Sequence, residues 1–499
     1  MLFLLDEADQ RRIKLIEVLM QHSDWITIGE LARLVDASER TIHSDLIDIK
    51  TKWGQKLQID ISLKNGVNMG CHNAAMLHEI QIDIFKSSVA PRFLRDLFFF
   101  PHQDIEFYTA KLFISKSTLI RLIPKINAYL SALSITIERN GLNYCLNAGD
   151  ELALRKLLSS LYLELNPPLA QLPGLQVEWP VPGARKPISY SRIYEIVCAM
   201  LRKGYDQEAV ELVMRDASAL PQMVAFYFVS VLREYQGFTL PCSRPLGSEL
   251  SKENFAYLAE RFPSITPEQL QSIHAILMKP FQEPDDPDEE LQLTAQATDY
   301  FSRVFDALHV TCPPKIQRQL VTTMKILYHF AVVYPAPLPT SLRRINGFIS
   351  SLQRTHPKLY AAFSDNLAAF NRALKTDLTP SLPDLMLHAC FLFPALGMAS
   401  PTRRVFIVSD FGIEHTSFIA SFIQSAMNSS YFKAVQVMPI PYAQASDPAF
   451  ASSLTAEDIF VTTAPSFLGL APGCRTLLFH DFPSMEDFCQ LYEAIYLHT

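Results

Sequence analysis

One local pattern, written twice before residue 150, restricts this chain more than any other feature of its sequence. In Trp25–Lys52 (WITIGELARLVDASERTIHSDLIDIKTK), Ile28, Leu31, Ala32 and Val35 give a short helix one apolar stripe. Asp36 and Ala37 make a turn, and Ser38 suits the cap of a second helix. Ile42, Leu46 and Ile49 follow at spacings of four and three, which places them on that helix's inner face. Leu57–Asn68 then alternates through Lys64-Asn65-Gly66, the composition of a hairpin turn. Helix, turn, capped helix and hairpin together predict a winged helix-turn-helix. Ser38, Glu39, Arg40, His43 and Ser44 would then lie at the base-reading end of the second helix, with Lys64 at the wing tip.

The second copy lies in Asp104–Asn127 (DIEFYTAKLFISKSTLIRLIPKIN), where Ser115 is the cap, 77 residues after Ser38. Leu119, Leu122 and Ile126 are expected inward; Lys116, Ser117, Arg121 and Lys125 face out, and Thr118 joins them as a candidate DNA contact. Pro124 removes one backbone hydrogen bond and predicts a kink. Ile135–Leu146 supplies another hairpin, turning at Asn140-Gly141 beside Arg139. No acid separates Glu106 from Glu138, so Lys111, Lys116, Arg121 and Lys125 stand unopposed in sequence. This copy is expected to supply most of the affinity for phosphate.

Bulk charge does not announce a polyanion partner. The net charge is −7, and residues 1–165 hold 19 Lys+Arg against 20 Asp+Glu. A DNA reader of this balance must concentrate its cations on one face. Eight cysteines are scattered without a CxxC pair, which excludes the common zinc spacings and suits a reducing, cytoplasmic compartment. The N-terminal Met1-Leu2-Phe3-Leu4-Leu5 runs at once into acids without a cationic leader, and no apolar run reaches the ~18–20 residues of a membrane span. GxxxxGK[ST], GxGxxG and HExxH patterns are missing, so no cofactor, metal or enzymatic activity is expected. The acidic run Asp285–Glu290 reads as a solvated hinge, and Phe98-Phe99-Phe100 as core.

Three proline-rich or acidic stretches, Asn166–Pro187, Pro280–Glu290 and Pro394–Pro401, divide the rest. Between them lie two helical segments of similar length, with stripes such as Tyr194, Val197, Leu201 and Leu320, Met324, Leu327. Beyond Pro401 strand-like runs (Arg404–Ser409, Ala434–Pro439, Asp458–Thr462, Thr476–His480) alternate with helical ones, implying a parallel sheet covered on both faces. The expected architecture is mainly α and multidomain. It has winged helix-turn-helix units at 1–68 and 69–168, all-α bundles at 172–285 and 286–398, and an α/β domain at 401–499.

The motif LFISKSTLIRLIPKIN, the paired winged helices, the duplicated bundles and the β/α tail together resemble the Mga family of virulence and carbohydrate regulators. The resemblance implies that the bundles are PTS regulation domains, phosphorylated on histidine by proteins such as HPr, and that the tail is enzyme IIB-like. It also implies a homodimer or higher oligomer acting on curved double-stranded DNA with little strict sequence preference, with no membrane partner. Residues 168–273 hold no histidine, so the first bundle offers only His274; the second offers His309, His329, His356 and His388, and His274 and His329, both in apolar helical contexts, are the candidate phosphoacceptors. In the tail, Ser409 stands where the phosphocysteine of an enzyme IIB would be, beside Asp410 and Glu414. A serine without an activating base is a poor nucleophile. Phosphotransfer is therefore expected to be absent and the tail to serve dimerisation or docking. An RNA antiterminator with the same regulation domains, a phosphotransferase component, and a regulator that has lost sensing are the alternatives.

Overall fold

The computed structural model describes residues 4–22, 24–62, 64–71, 74–165, 178–179, 186–204, 206–215, 219–240, 251–281, 286–333, 344–394, 396, 403–427, 435–471 and 473–496. Most of the stretches Asn166–Pro187 and Pro394–Pro401, residues 282–285 of Pro280–Glu290, and residues 1–3 of the apolar start lie outside them. The chain divides into two compact units, Met1–Asp286 with Ile326–Phe348, and Pro287–Lys325 with Ile349–Thr499.

The first unit begins with α1 (Glu7–Met20), α2 (Ile28–Val35), α3 (Glu39–Leu57) and the antiparallel hairpin β1 (Ile59–Ser62) and β2 (Gly66–Met69). Next come α4 (Ala74–Ser87), α5 (Val89–Phe99), β3 (Gln103–Asp104), α6 (Ile105–Leu112), α7 (Lys116–Leu130), β4 (Ile135–Asn140), β5 (Asn143–Ala148) and α8 (Glu151–Leu165). The local chemistry of the two copies agrees residue for residue. Thr27 caps α2 by accepting the Glu30 N–H, and Asp104 caps α6 by accepting that of Phe107. Asp36 (φ 61°) and Phe113 (φ 58°) end those helices in the left-handed region. Ser38 and Ser115 then cap α3 and α7 through the Thr41 and Thr118 N–H groups. The bridge Ile26↔Val67 has its counterpart in Gln103↔Tyr144. Each of these positions recurs 77 residues on.

Ile42, Leu46, Ile49, Leu119 and Ile126 are buried and Leu122 half-buried, as the stripes predict. Pro124 sits inside α7 without ending it. Its ring leaves the Ile120 carbonyl without an intrahelical donor. The position is exposed, so water can satisfy that group. The second wing is the longer, six residues a strand against four. Asn127 of α7 holds it by accepting from the Ile137 N–H (2.7 Å) and donating to the Ile137 carbonyl (3.2 Å).

The unit continues with the pair β6 (Glu178–Trp179) and β7 (Ile188–Ser189), then α9 (Tyr190–Leu201), α10 (Gln207–Arg215), α11 (Ala219–Tyr235), α12 (Lys252–Arg261) and α13 (Pro267–Met278). Helix α8 packs along α11 and brings Arg155, Arg233 and Glu234 out of water, with Glu151 half-buried beside them. Arg233 forks onto Glu151 (2.7 and 2.8 Å), while Arg155 reaches Glu151 (3.1 Å), Glu234 (2.9 Å) and the Phe238 carbonyl (2.6 Å). Glu234 also accepts from the Leu240 N–H (2.9 Å) and Gln269 (3.2 Å). Arg155 and Glu234 are almost fully buried, a placement tolerable only with such pairing.

Helices α14 (Pro287–Ala307), α15 (Pro314–Val333), α16 (Arg344–Thr355), α17 (Pro357–Leu374) and α18 (Leu382–Leu392) follow, with Tyr300, Phe301, Phe363 and Phe370 in one aromatic cluster of the second unit. The tail holds β8 (Arg403–Val408), α19 (Ile413–Met427), β9 (Val435–Pro439), α20 (Tyr442–Ala445), α21 (Pro448–Ser453), β10 (Ile459–Thr462), β11 (Arg475–Leu478) and α22 (Met485–Tyr496). Its sheet is wholly parallel, in the order β11-β10-β8-β9. One face buries Val405 and Ile407 against Ile419 and Leu491; the other buries Phe406 and Val408 against Ile440 and Leu454. Two covered faces explain the apolar runs of the inner strands, Val405 to Val408 in β8 and Ile459 to Val461 in β10, while the edge strands β9 and β11 keep polar residues such as Gln436 and Thr476. Among the described residues no helix is long and apolar enough to cross a membrane.

Candidate nucleic-acid interface

The outward face of α7 is formed by Lys116, Ser117, Ile120, Arg121, Pro124, Lys125 and Ala128, all exposed. No residue of this helix is acidic. Lys116 makes an ion pair with Glu106 of α6, and that ammonium group holds the Glu106 carboxyl below its ordinary range. Arg121 donates from Nε to the Ser117 carbonyl (3.2 Å), which steadies its stem and leaves the rest of the guanidinium outward. Thr118 is half-buried and spends its hydroxyl on Ser115 (2.8 Å), so it completes the cap rather than the outer face. Lys111 lies back on α6 with its ammonium 3.9 Å from the Phe100 ring centre. At the wing tip, Arg139 donates from Nε to the Gly141 carbonyl (2.9 Å) beside exposed Leu142.

The first copy handles charge differently. Glu39, Arg40, His43, Ser44, Ile47, Lys50 and Lys52 are exposed on α3, and Lys64 is exposed at the wing tip. Its acids Asp45 and Asp48 are drawn toward α1: Arg11 (2.6 Å) and Arg12 (3.2 Å) both meet Asp45, and Arg12 also meets Asp48 (2.6 Å). The cap Ser38 shares its hydroxyl with Thr41 (2.8 Å).

The two candidate phosphoacceptors sit elsewhere, and the structure changes how one of them reads. His274 on α13 is in the core, with Nε2 3.1 Å from the Tyr227 hydroxyl and the rings 5.6 Å apart. Burial pushes the Tyr227 phenol well above its usual range, a sign of how dry this spot is. A protein donor does not reach His274 in this conformation. His329 on α15 is half-buried, edge-on to Tyr328 (5.6 Å).

Sequence reasoning missed His415. Ser409, at the end of β8, lies 2.7 Å from His415 Nδ1, and His415 Nε2 lies 2.7 Å from the Asp481 carbonyl. A carbonyl only accepts, so the neutral ring carries its proton on Nε2 and takes the serine's at Nδ1. Thr463, at the end of β10, donates to the same Oγ (3.0 Å), as does the Phe411 N–H (3.1 Å). The serine therefore does have a base beside it, contrary to the sequence expectation. The six-residue separation of Ser409 and His415 across a strand–loop–helix junction was the available signal.

Comparison with known proteins finds two family matches, both in the N-terminal third. Residues 73–162 match the family described as the Mga helix-turn-helix domain. Residues 7–62 match the helix-turn-helix domain of the M protein trans-acting positive regulator. Over 124 residues the chain is 29% identical to a putative trans-acting regulator of Streptococcus pneumoniae serotype 4, covering 25% of each protein. It is 23% identical over 155 residues to the capsule synthesis positive regulator AcpB of Bacillus anthracis, covering 31% of this chain and 32% of AcpB. With AcpA of the same organism the identity is 22% over 170 residues, covering 34% of this chain and 33% of AcpA. The alignments thus span between a quarter and a third of these relatives.

Proposed function

This chain is a member of the Mga family of helix-turn-helix regulators, and from that premise we propose that it is a transcriptional regulator that binds duplex DNA through both winged units. The observation that carries the reading is the α7 face, an exposed helix surface that has no acid of its own and three cations, of which Lys116 is paired with Glu106 of α6 while Arg121 and Lys125 face outward. Arg121 and Arg40 enter the major groove, and Arg139 and Lys64 follow the backbone at the wing tips. Ser117, Ser44 and His43 lie within reach of base edges, while Lys116 and Lys125 meet phosphates. Anisotropy titration of labelled duplex across a salt series tests this. Arg121→Ala should weaken binding and lower the logarithmic salt slope by about one. Duplex binding no tighter than to a bulk polyanion, with neither arginine mattering, overturns it.

The segments 172–285 and 286–398 act as PTS regulation domains and 401–499 as an enzyme IIB-like domain, with HPr as phosphoryl donor and His329 as the more accessible acceptor. Phosphorylation adds about two negative charges, enough to remake helix packing. Phosphotransfer from HPr that survives His329→Ala removes this part. A homodimer or higher oligomer forms through the tail, supported by the exposed rings of Phe411, Phe418 and Phe482 around His415. Sedimentation of Phe482→Asp should show the smaller species. The free thiols of the described cysteines suit a cytoplasmic protein.

A further inference from the structure

The α7 face is not uniformly cationic, and the order of its side chains carries more information than its charge. At 3.6 residues a turn, successive residues are rotated by about 100°. Lys116 and Lys125 then stand on opposite edges of the exposed arc, about 180° apart. Between them fall Ile120, Pro124, Ser117 and Ala128, with Arg121 toward the Lys125 edge. The centre of the face is apolar and its margins are cationic. Ile120 is 56% exposed, a branched aliphatic side chain held in water on a surface that solubility alone would make polar.

A helix lying in the major groove meets the two phosphate backbones with its margins and the base edges with its centre. Among exposed residues of α7 there is no Asn or Gln to read adenine and no Asp or Glu to read cytosine. Arg121 can read guanine. What remains for an aliphatic centre is the C5-methyl group of thymine, the one apolar atom a base pair presents in that groove. The first copy repeats the arrangement: Ile47, 49% exposed, occupies on α3 the place that Pro124 occupies on α7.

We propose that the strip Ile120–Pro124–Ala128 reads thymine methyl groups, so that α7 discriminates by apolar contact and not only by charge. This rests on the DNA-binding reading above, and adds base preference to a surface expected from sequence to have little. Ile120 lies in the N-terminal half of α7, where a recognition helix approaches the bases most closely, and is the principal reader.

The test compares an A·T-rich duplex with the same duplex carrying deoxyuridine at every thymine. This change removes the methyl groups and keeps every hydrogen-bonding group and charge. The full chain should lose affinity by roughly fourfold for each methyl group contacted. Ile120→Ala should bind both duplexes nearly alike, and Ile120→Val should keep part of the discrimination. Equal losses in wild type and Ile120→Ala would assign the effect to duplex shape and overturn the proposal. Tight binding by wild type with no difference between the duplexes overturns it and leaves the regulator reading intact. Absence of duplex binding removes both.

Discussion

The two winged units share their caps and turns at a constant offset, yet they spend charge in opposite ways. In the first, Arg11 and Arg12 of α1 are tied to Asp45 and Asp48 of the recognition helix, so the helix is fastened to its own unit by ion pairs. In the second, the recognition helix has no acid, Lys125 stands where Asp48 stands in the first, and the buried ion pairs have moved to α8. The same fold can thus put most of its helix charges into holding itself together, or spend one, Lys116 on Glu106, and leave Arg121 and Lys125 facing outward. The first copy is the better self-anchored; the second has the more strongly cationic outer face.

The comparison can be broken most forcefully at α8. Glu234→Ala leaves the guanidinium of Arg155 buried and short of its partner, and should destabilise the first unit by about 3–5 kcal/mol. Denaturant unfolding with an unchanged midpoint would show the network to be dispensable. Asp45→Ala attacks the other anchoring scheme. It removes one acceptor from two arginines that remain partly solvated, so the expected loss is smaller, about 1.5–3 kcal/mol by the same measurement. The caps should be equivalent: Ser38→Ala and Ser115→Ala should each cost about 1 kcal/mol, and a clear inequality would mean that the repeat is geometric but not energetic. Smallest in energy but sharpest in meaning is Asp48→Lys, which gives the first copy the charge of the second. It should steepen the logarithmic salt slope of DNA binding by about one while taking from Arg12 one of its carboxylate partners and leaving it Asp45 and Asp9. A slope that does not move would place α3 away from the backbone.

What the sequence made legible was local. Caps at Ser38 and Ser115, turns at Gly66 and Gly141, and period-two or period-four stripes depend on residues within a few positions of one another. The parallel sheet was legible because burial on both faces of its inner strands leaves apolar runs such as Val405, Phe406, Ile407 and Val408. Contacts between distant segments were not. Arg155 meets Glu234 across 79 positions, and nothing near either residue marks it as buried. Ser409 meets Thr463 across 54, from two strands whose adjacency only the sheet order reveals. His274 lay in an apolar helix, a context that fits a core residue and an interfacial one equally; its depth depends on how α11 and α13 pack.

The grip of α8 on α11 also decides how portable the N-terminal third is. The matched family segment ends at residue 162, inviting a cut just beyond it. Such a cut strips Arg155 of Glu234 and of the Phe238 carbonyl, and bares the buried flank of α8. Swapping this third between relatives therefore requires the matching stretch of α11 to travel with it. A stable cut thus falls beyond α11, not in front of it.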